Sequence, residues 1–93
     1  MLKATFYATL RRIVNGKTIE FDLPSGSTVQ QLLDEMIRRY PPLREELLDE
    51  NGQLFQHVHI FVNARDTLFL PEGMNSPLME EDTIGVFPVV GGG

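Results

Sequence analysis

The sequence predicts an α+β domain in which one amphipathic helix lies across a mixed sheet of four or five strands. Three observations predict this class: two alternating segments near the N-terminus, one long apolar stripe at helical spacing, and further alternating segments in the C-terminal half. Because a helix with one apolar stripe must bury it, a single sheet face is expected to cover that stripe.

The two N-terminal strands are predicted over residues 2–10 and 17–23. In the first, Leu2, Ala4 and Phe6 alternate with polar residues, and "KTIEFDL" repeats the pattern in the second. Asn15-Gly16 is a strong hairpin signal. The connection "RRIVNGK" is longer than two residues, which predicts a wide turn that includes Arg11 and Arg12.

The clearest helix follows "PSGS". Its apolar stripe consists of Val29, Leu32, Leu33, Met36, Ile37 and Tyr40. Either Ser27 with Gln30 or Thr28 with Gln31 fits a capping box at its start, and Pro41-Pro42 ends it. The segment "LREELLDENG" adds a short helical turn.

The C-terminal half predicts strands at "HVHIFVN" and "TIGVFPV", with Pro88 weakening the last ladder because it has no N–H. Residues 64–82 are expected to be rich in loops, with at most one short edge strand near Leu68 to Leu70. Hairpin, helix and further strands in this order give the β-grasp arrangement of ubiquitin-like proteins. We expect one such domain over residues 1–90 and a flexible glycine tail over residues 91–93.

Charge and composition exclude several classes of function. The 93 residues carry a net charge of −5 and only two lysines, which argues against nucleic-acid binding and is compatible with a partner that presents a basic surface. There is no cysteine, so thiolate metal sites, thiol nucleophiles and persulfides on a side chain are excluded.

The sequence predicts that the protein does not associate with membranes. No apolar run is long enough to span a bilayer, and the alternating N-terminus lacks the apolar core of a signal peptide. We therefore expect a cytoplasmic protein.

Three aromatic residues are predicted on the sheet face that points away from the helix. Strand parity puts Tyr7, Phe61 and Phe87 there, from three different strands. A convergent aromatic patch suits a docking surface for a partner protein. The alternatives are that the loop over residues 64–82 folds over the rings, or that a bulge shifts the parity by one residue.

The chain ends on Gly91, Gly92 and Gly93, which have no Cβ and can therefore enter a channel too narrow for other residues. A carboxylate there is a poor electrophile until ATP converts it to an acyl adenylate, after which a sulfur donor gives a thiocarboxylate and an amine gives an amide. The chain has no phosphate-binding loop, so a partner enzyme must supply the nucleotide site.

Other candidate chemistry is weak. His57 and His59 are spaced to share a ligand, but no third ligand is evident, and a pair of edge histidines is the preferred interpretation. No metal site is predicted, and no nucleophile with a matching base is evident.

Four segments together resemble a known family: "FYATLRR", "STVQQLLDEMIRRYPPL", "IFVNARD" and "PLMEEDTIGVFPVVGGG". They resemble the small sulfur-carrier subunit of molybdopterin synthase and, more distantly, the sulfur carrier of the thiamine pathway. The resemblance covers nearly the whole chain, and its most specific part is the Phe-Pro-x-Val segment that leads into terminal glycines.

The resemblance implies a carrier rather than an enzyme. A ubiquitin-activating-like adenylyltransferase would use ATP to activate Gly93, no cofactor would be bound, and the tail would deliver sulfur to the large subunit of molybdopterin synthase. Gly92 and Gly93 match the reactive tail, Tyr7 and Phe87 match apolar partner contacts, and Arg11 matches a basic position beside the first strand; Phe61 as a third contact follows from parity.

One departure and several alternatives remain. The family usually has Thr, Ala or Ser before its last two glycines, where this chain has Gly91. A ubiquitin-like modifier of proteins, a sulfur carrier for tRNA thiolation, thiamine or tungsten cofactor, and a simple interaction domain all stay open.

Overall fold

The computed structural model describes residues 1–88, which form a mixed sheet covered on one face by a main helix. The strands are β1 (Leu2–Phe6), β2 (Thr18–Phe21), β3 (Val58–Val62), β4 (Arg65–Asp66) and β5 (Ile84–Pro88), and the helices are α1 (Leu10–Val14), α2 (Val29–Arg39) and α3 (Leu43–Leu47). Two short 3-10 turns occupy Thr67–Phe69 and Gly73–Asn75. The predicted α+β class and β-grasp arrangement are confirmed.

The sheet has the strand order β2-β1-β5-β3-β4. Among the strands within residues 1–88, β1 and β5 pair in parallel, and the other neighbouring pairs run antiparallel. Since the first and last strands meet in the middle, residues distant in sequence become neighbours. Thr5 lies opposite Gly85, and His59 lies opposite Phe87.

Helix α2 begins and ends where its sequence signals predict. The Thr28 hydroxyl accepts a hydrogen bond from the Gln31 N–H at 3.1 Å, and the Gln31 side chain accepts one from the Thr28 N–H at 2.8 Å. The structure therefore chooses Thr28 over Ser27 as the cap, and this reciprocal pair satisfies donors that a helix start leaves open. The helix ends at Arg39, just before Tyr40 and Pro41.

One core joins the helix stripe to the inner face of the sheet. Phe6 and Ile60 from the sheet and Leu32 and Met36 from α2 are at most 1 % exposed. The core also takes in Leu43 and Leu47 of α3, Leu10 and Val14 of α1, and Leu78 from the long connection. The short helices thus close the ends of the layer that α2 cannot reach.

The connection between β1 and β2 is helical, so the predicted wide turn is wrong. Strand β1 stops at Phe6, Ala8 has a left-handed backbone (φ 55°), and the chain then forms helix α1. Leu10 and Val14 are spaced by four residues and both are buried, which favours the helix. Asn15 is its left-handed C-cap, so Asn15-Gly16 ends a helix instead of forming a two-residue hairpin.

The edge strand also differs from its predicted position. It is the pair Arg65–Asp66, and Thr67–Phe69 is a 3-10 turn. Asn63 (φ 52°) and Ala64 (φ 68°) form the left-handed two-residue link between β3 and β4. The sequence indicates a turn at residues 63–65, because asparagine tolerates a left-handed backbone, but alanine at the second position, where glycine is preferred, leaves the tight hairpin unspecified.

Candidate docking face and tail

Tyr7, Phe61 and Phe87 lie together on the sheet face opposite α2. The rings of Tyr7 and Phe87 are stacked, with centroids 4.0 Å apart and planes 9° apart. The Phe61 ring meets Phe87 edge to face at 5.2 Å. The parity that predicted their common face is confirmed, whereas their role as partner contacts stays a prediction. We call this cluster the aromatic face.

The rings of Tyr7 and Phe87 pack directly against the backbone of Gly85. A Cβ added to it would lie 3.1 Å from the Phe87 ring and 3.3 Å from the Tyr7 ring. The absence of a side chain at this point in β5 allows the rings to approach the strand closely. Gly85 was not among the predicted site residues, although a lone glycine inside a strand is a recognised signal of close approach.

The loop over residues 64–82 does not cover the rings of the aromatic face. The depression there is lined by the three aromatic rings with Gly85, and residues 64–82 contribute only Ala64 to it. Asn63 ties this corner to β5: its side-chain oxygen accepts from the Thr83 N–H at 2.9 Å, and its own N–H donates to the Thr83 carbonyl at 2.7 Å. The alternative in which this loop covers the rings is therefore wrong.

Arg11 stands at the rim of the aromatic face. Helix α1 carries it, and its Nε donates to the Phe6 carbonyl at 2.9 Å. Its guanidinium lies 5.4 Å from the centre of the Tyr7 ring, within cation–π range. The hydrogen bond holds a positive charge beside an apolar surface, where it can meet an acidic group of a partner.

The two histidines have separate neighbours. His57 stacks on Phe55 at 5.1 Å, whereas the His59 Nδ1 pairs with the Asp66 carboxylate at 2.6 Å. Within residues 1–88 no group of three or more potential metal ligands occurs. His59 borders the aromatic face, since its ring centre is 6.2 Å from that of Phe61.

The predicted tail, Gly91, Gly92 and Gly93, lies outside the described residues. The described residues end at Pro88, which directly follows Phe87 of the aromatic face. The described part of the chain therefore has a surface suited to binding a partner protein, with a positive charge at its rim. The assignment of reactive chemistry to the last residues depends on the sequence alone. No helix within residues 1–88 is long and apolar enough to cross a bilayer.

Comparison with known proteins decides the family. The sequence profile of the ThiS family matches residues 4–93. The chain belongs to the ThiS family. This is a family of ubiquitin-like sulfur carriers, and its members are small carrier proteins rather than catalysts.

The names of the relatives of this ThiS-family chain describe different functions. Small archaeal modifier protein 3 of Haloferax volcanii is 34% identical over 92 residues, which is 99% of this chain and 98% of the relative. A chain in the crystal structure of the BexX/CysO complex from Amycolatopsis orientalis has a TM-score of 0.79 and 26% identity, with 100% of each chain covered.

A third relative comes from Pyrococcus furiosus and is assigned provisionally as molybdopterin converting factor, subunit 1. It has a TM-score of 0.73 and 29% identity, covering 96% of this chain and 97% of its own. From its resemblance, the sequence predicts a role in molybdopterin synthesis, with protein modification as an alternative. The modifier relative favours the second of these, and the carrier role is supported at the level of the family.

Proposed function

We propose that this chain is a ubiquitin-like protein modifier whose Gly93 carboxylate is activated by a partner adenylyltransferase and joined to an amine of a target protein. The observation that carries the proposal is the 34% identity to a small archaeal modifier protein, which spans nearly the whole of both chains. The terminal glycines and the open aromatic face are the two features of this chain that such a role needs.

The proposed reaction takes place in two steps on the partner enzyme. A carboxylate oxygen of Gly93 attacks the α-phosphate of ATP, which releases pyrophosphate and leaves an acyl adenylate. A lysine amine then attacks the acyl carbon, AMP leaves, and the amine gives up a proton as the amide forms. The described residues of this chain are expected to bind and orient, not to catalyse.

The aromatic face is proposed to hold the chain on that enzyme. Ordering three glycines of the tail costs on the order of 3–6 kcal/mol in backbone entropy. Fully burying one exposed aromatic side chain contributes about 1.5–3 kcal/mol before other costs. Tyr7, Phe61 and Phe87 are half-buried in the monomer, so burial of their remaining exposed surface is proposed to offset part of the ordering cost, and Arg11 adds a charged contact at the rim. The Amycolatopsis relative, solved as a complex, supports docking of a partner protein.

Sulfur transfer for molybdopterin is the second candidate, favoured by the Pyrococcus relative. It shares the adenylate and differs only in the nucleophile. A sulfur donor would replace the amine and leave a thiocarboxylate on Gly93, which the large subunit of molybdopterin synthase would consume. The cytoplasm is the expected compartment for both functions.

The test is to recover the chain from its native cells and identify what its last residue carries. Proteolysis after Glu81 would leave residues 82–93 as a branch on any modified lysine, which mass spectrometry detects. In parallel, a sulfur-selective alkylating reagent used under mild conditions would label a thiocarboxylate on the terminal peptide, because the chain has no cysteine thiol to compete and residues 82–93 contain no methionine. Deletion of Gly93 is the matched control for both signals.

We expect branched lysines that disappear when Gly93 is deleted. A labelled terminal peptide without branched lysines would overturn the modifier proposal in favour of sulfur carriage. A free carboxylate under all conditions, with full function after deletion of Gly93, would overturn both and leave an interaction domain.

A further inference from the structure

His59 lies on the same sheet face as the aromatic rings. In β3 it alternates with the buried Val58 and Ile60, and it lies directly opposite Phe87 of β5. Residues opposite each other in an antiparallel pair have their side chains next to one another on one face of the sheet. His59 is therefore a polar neighbour of Phe87 on the aromatic face.

The Asp66 carboxylate fixes the orientation of the His59 ring. One carboxylate oxygen lies 2.6 Å from the His59 Nδ1, and the other accepts a hydrogen bond from the Leu68 N–H at 3.0 Å. The Asp66 side chain is only 11% exposed, so these two contacts replace most of its hydration. Because an ionised carboxylate accepts hydrogen bonds and cannot donate them, the proton between the two side chains belongs to Nδ1.

The opposite ring nitrogen, Nε2, is left for a contact outside the fold. A neutral imidazole carries one proton, and with that proton on Nδ1 the lone pair of Nε2 accepts hydrogen bonds. Within residues 1–88, Nε2 has no hydrogen-bond partner, and no side-chain nitrogen or oxygen there is both buried and unpaired. It follows that Nε2 is accessible from outside, in a side chain that is 29% exposed.

A purely structural role does not require a histidine at this position. The bond to Asp66 needs one N–H donor, which the amide of an asparagine also supplies. The imidazole adds two features that asparagine lacks. One is ring surface beside Phe61, whose ring centre is 6.2 Å away, and the other is an acceptor on the far side of the ring from the carboxylate.

We propose that His59 is a specificity-determining contact of the aromatic face, where its Nε2 accepts a hydrogen bond from an N–H or O–H group of the activating enzyme. Asp66 is a positioning residue, because it selects the tautomer of His59 through Nδ1. The inference rests on the proposed docking of the aromatic face to that enzyme. It applies to both candidate fates of Gly93, since both begin with the adenylate.

A single acceptor on a largely apolar face discriminates between partners. Ring contacts tolerate many apolar surfaces, whereas a polar group that is buried without its partner lowers affinity. An enzyme that places a carbonyl or carboxylate opposite Nε2 leaves two acceptors facing each other. Arg11 has the opposite character, because its guanidinium only donates. It stands beside Tyr7 at the end of β1, whereas His59 belongs to β3, on the other side of β5.

Nitrogen-15 NMR of the full chain tests the tautomer without any partner. We expect the proton of neutral His59 on Nδ1, and His57→Asn assigns the signals of the two histidines. In Asp66→Asn the amide oxygen is expected to keep its bond to the Leu68 N–H, which turns the NH2 group toward Nδ1. The proton should then move to Nε2, so that the variant presents a donor instead of an acceptor.

Calorimetric titration of the full chain into the purified adenylyltransferase measures the contact. Without ATP no adenylate forms, so the titration reports docking alone. We expect the dissociation constant to rise about tenfold in His59→Asn, which retains a donor to Asp66 but lacks Nε2. Asp66→Asn should weaken docking at least as much, because its Nε2–H then faces the donor of the enzyme.

Asp34→Asn is the matched control for the loss of one negative charge. Asp34 is exposed on α2, which covers the other face of the sheet, so this variant should bind like the unaltered chain. Urea unfolding separates a contact from a structural role. His59→Asn should unfold at the same urea concentration as the unaltered chain, since its amide replaces the Nδ1 donor.

Four results would overturn the proposal. They are no binding of the unaltered chain, equal affinity of His59→Asn and the unaltered chain, and weaker docking of His59→Asn together with a lower urea midpoint, which would assign the effect to the fold. The fourth is a proton on Nε2 of the unaltered chain at the pH of the titration.

Exchange of pyrophosphate into ATP tests the proposed function separately, because it reports whether Gly93 of the unaltered chain is activated. Exchange with normal docking of His59→Asn would overturn the His59 contact alone. Weaker docking of His59→Asn without any exchange would support the contact and overturn the activation of Gly93.

Discussion

The aromatic face and the Leu68–Phe69 turn are both apolar surfaces, but they differ in what their side chains touch. On the aromatic face, Tyr7 and Phe87 stack on each other over Gly85, so the rings are half-buried and already contribute to the monomer. At the turn, Leu68 and Phe69 are mostly exposed to water. Two kinds of apolar surface residue are therefore present. One kind packs against the rest of the monomer and leaves part of its side chain accessible, and the other has most of its side chain in water.

The largest effect is expected where the aromatic face rests on the sheet. In Gly85→Val the branched side chain would occupy the space of both rings, since even a Cβ lies 3.1 Å from Phe87. We expect the free energy of unfolding in denaturant to fall by about 1–3 kcal/mol, as for other overpacked sites, and binding to the activating enzyme to weaken. Gly85→Ala is the smaller matched change, and an unchanged stability in both variants would show that the rings move aside freely.

Exchanging one phenylalanine for serine on each surface tests the comparison directly. Phe87→Ser removes the stacked and edge-to-face contacts and is expected to lower the free energy of unfolding by about 1–3 kcal/mol. Phe69→Ser should change the free energy of unfolding by no more than about 0.5 kcal/mol, because the exposed Phe69 ring contributes little to the stability of the monomer. Urea unfolding at low protein concentration measures both, and equal losses would mean that the two surfaces are not different in kind.

The smallest effect is expected at a position that belongs to neither surface. On α2, hydrogen bonds from Arg38 to the Glu35 carboxylate, at 2.8 and 2.6 Å, lower the pKa of Glu35 below its ordinary value of 4.5. A lowered pKa stabilises the fold at pH values above the ordinary pKa, and the effect is lost as the pH falls through the lowered one.

Glu35→Gln should therefore melt slightly below the unaltered chain at pH 7, and the difference should vanish in acid. Thermal unfolding followed across this pH range measures it. The variant should leave enzyme docking unchanged, and a change there would show that Glu35 takes part in the docking contact.

The parts of the fold that follow from short-range periodicity could be predicted. The stripe of α2, its Thr28 and Gln31 cap, and the alternation of β1, β3 and β5 all depend on residues within a few positions of one another. The same alternation placed Tyr7, Phe61 and Phe87 on one face. Their stacking over Gly85 could not be predicted, because it requires β1 and β5 to be adjacent although nearly 80 residues of chain separate them.

The errors fall where a local signal competes with a distant contact. Asn15-Gly16 resembles a hairpin turn, but Leu10 and Val14 reach the core only if the preceding residues form a helix. Asn63 indicates the turn after β3, but its tight two-residue form could not be predicted because a left-handed backbone is uncommon for Ala64. Leu68 and Leu70 suggest an edge strand, but Asp66 caps a 3-10 turn there instead.

The sequence by itself therefore determined the class of fold, the main helix, the aromatic residues of one sheet face and the glycine tail, because each depends on spacing or composition within a short segment. Only the tertiary structure decided that Gly85 carries the rings, that Arg11 stands beside Tyr7, and that Leu68 and Phe69 project outward. Those placements depend on which distant segments share the core, and burial is a property of the whole packed chain that no local pattern specifies.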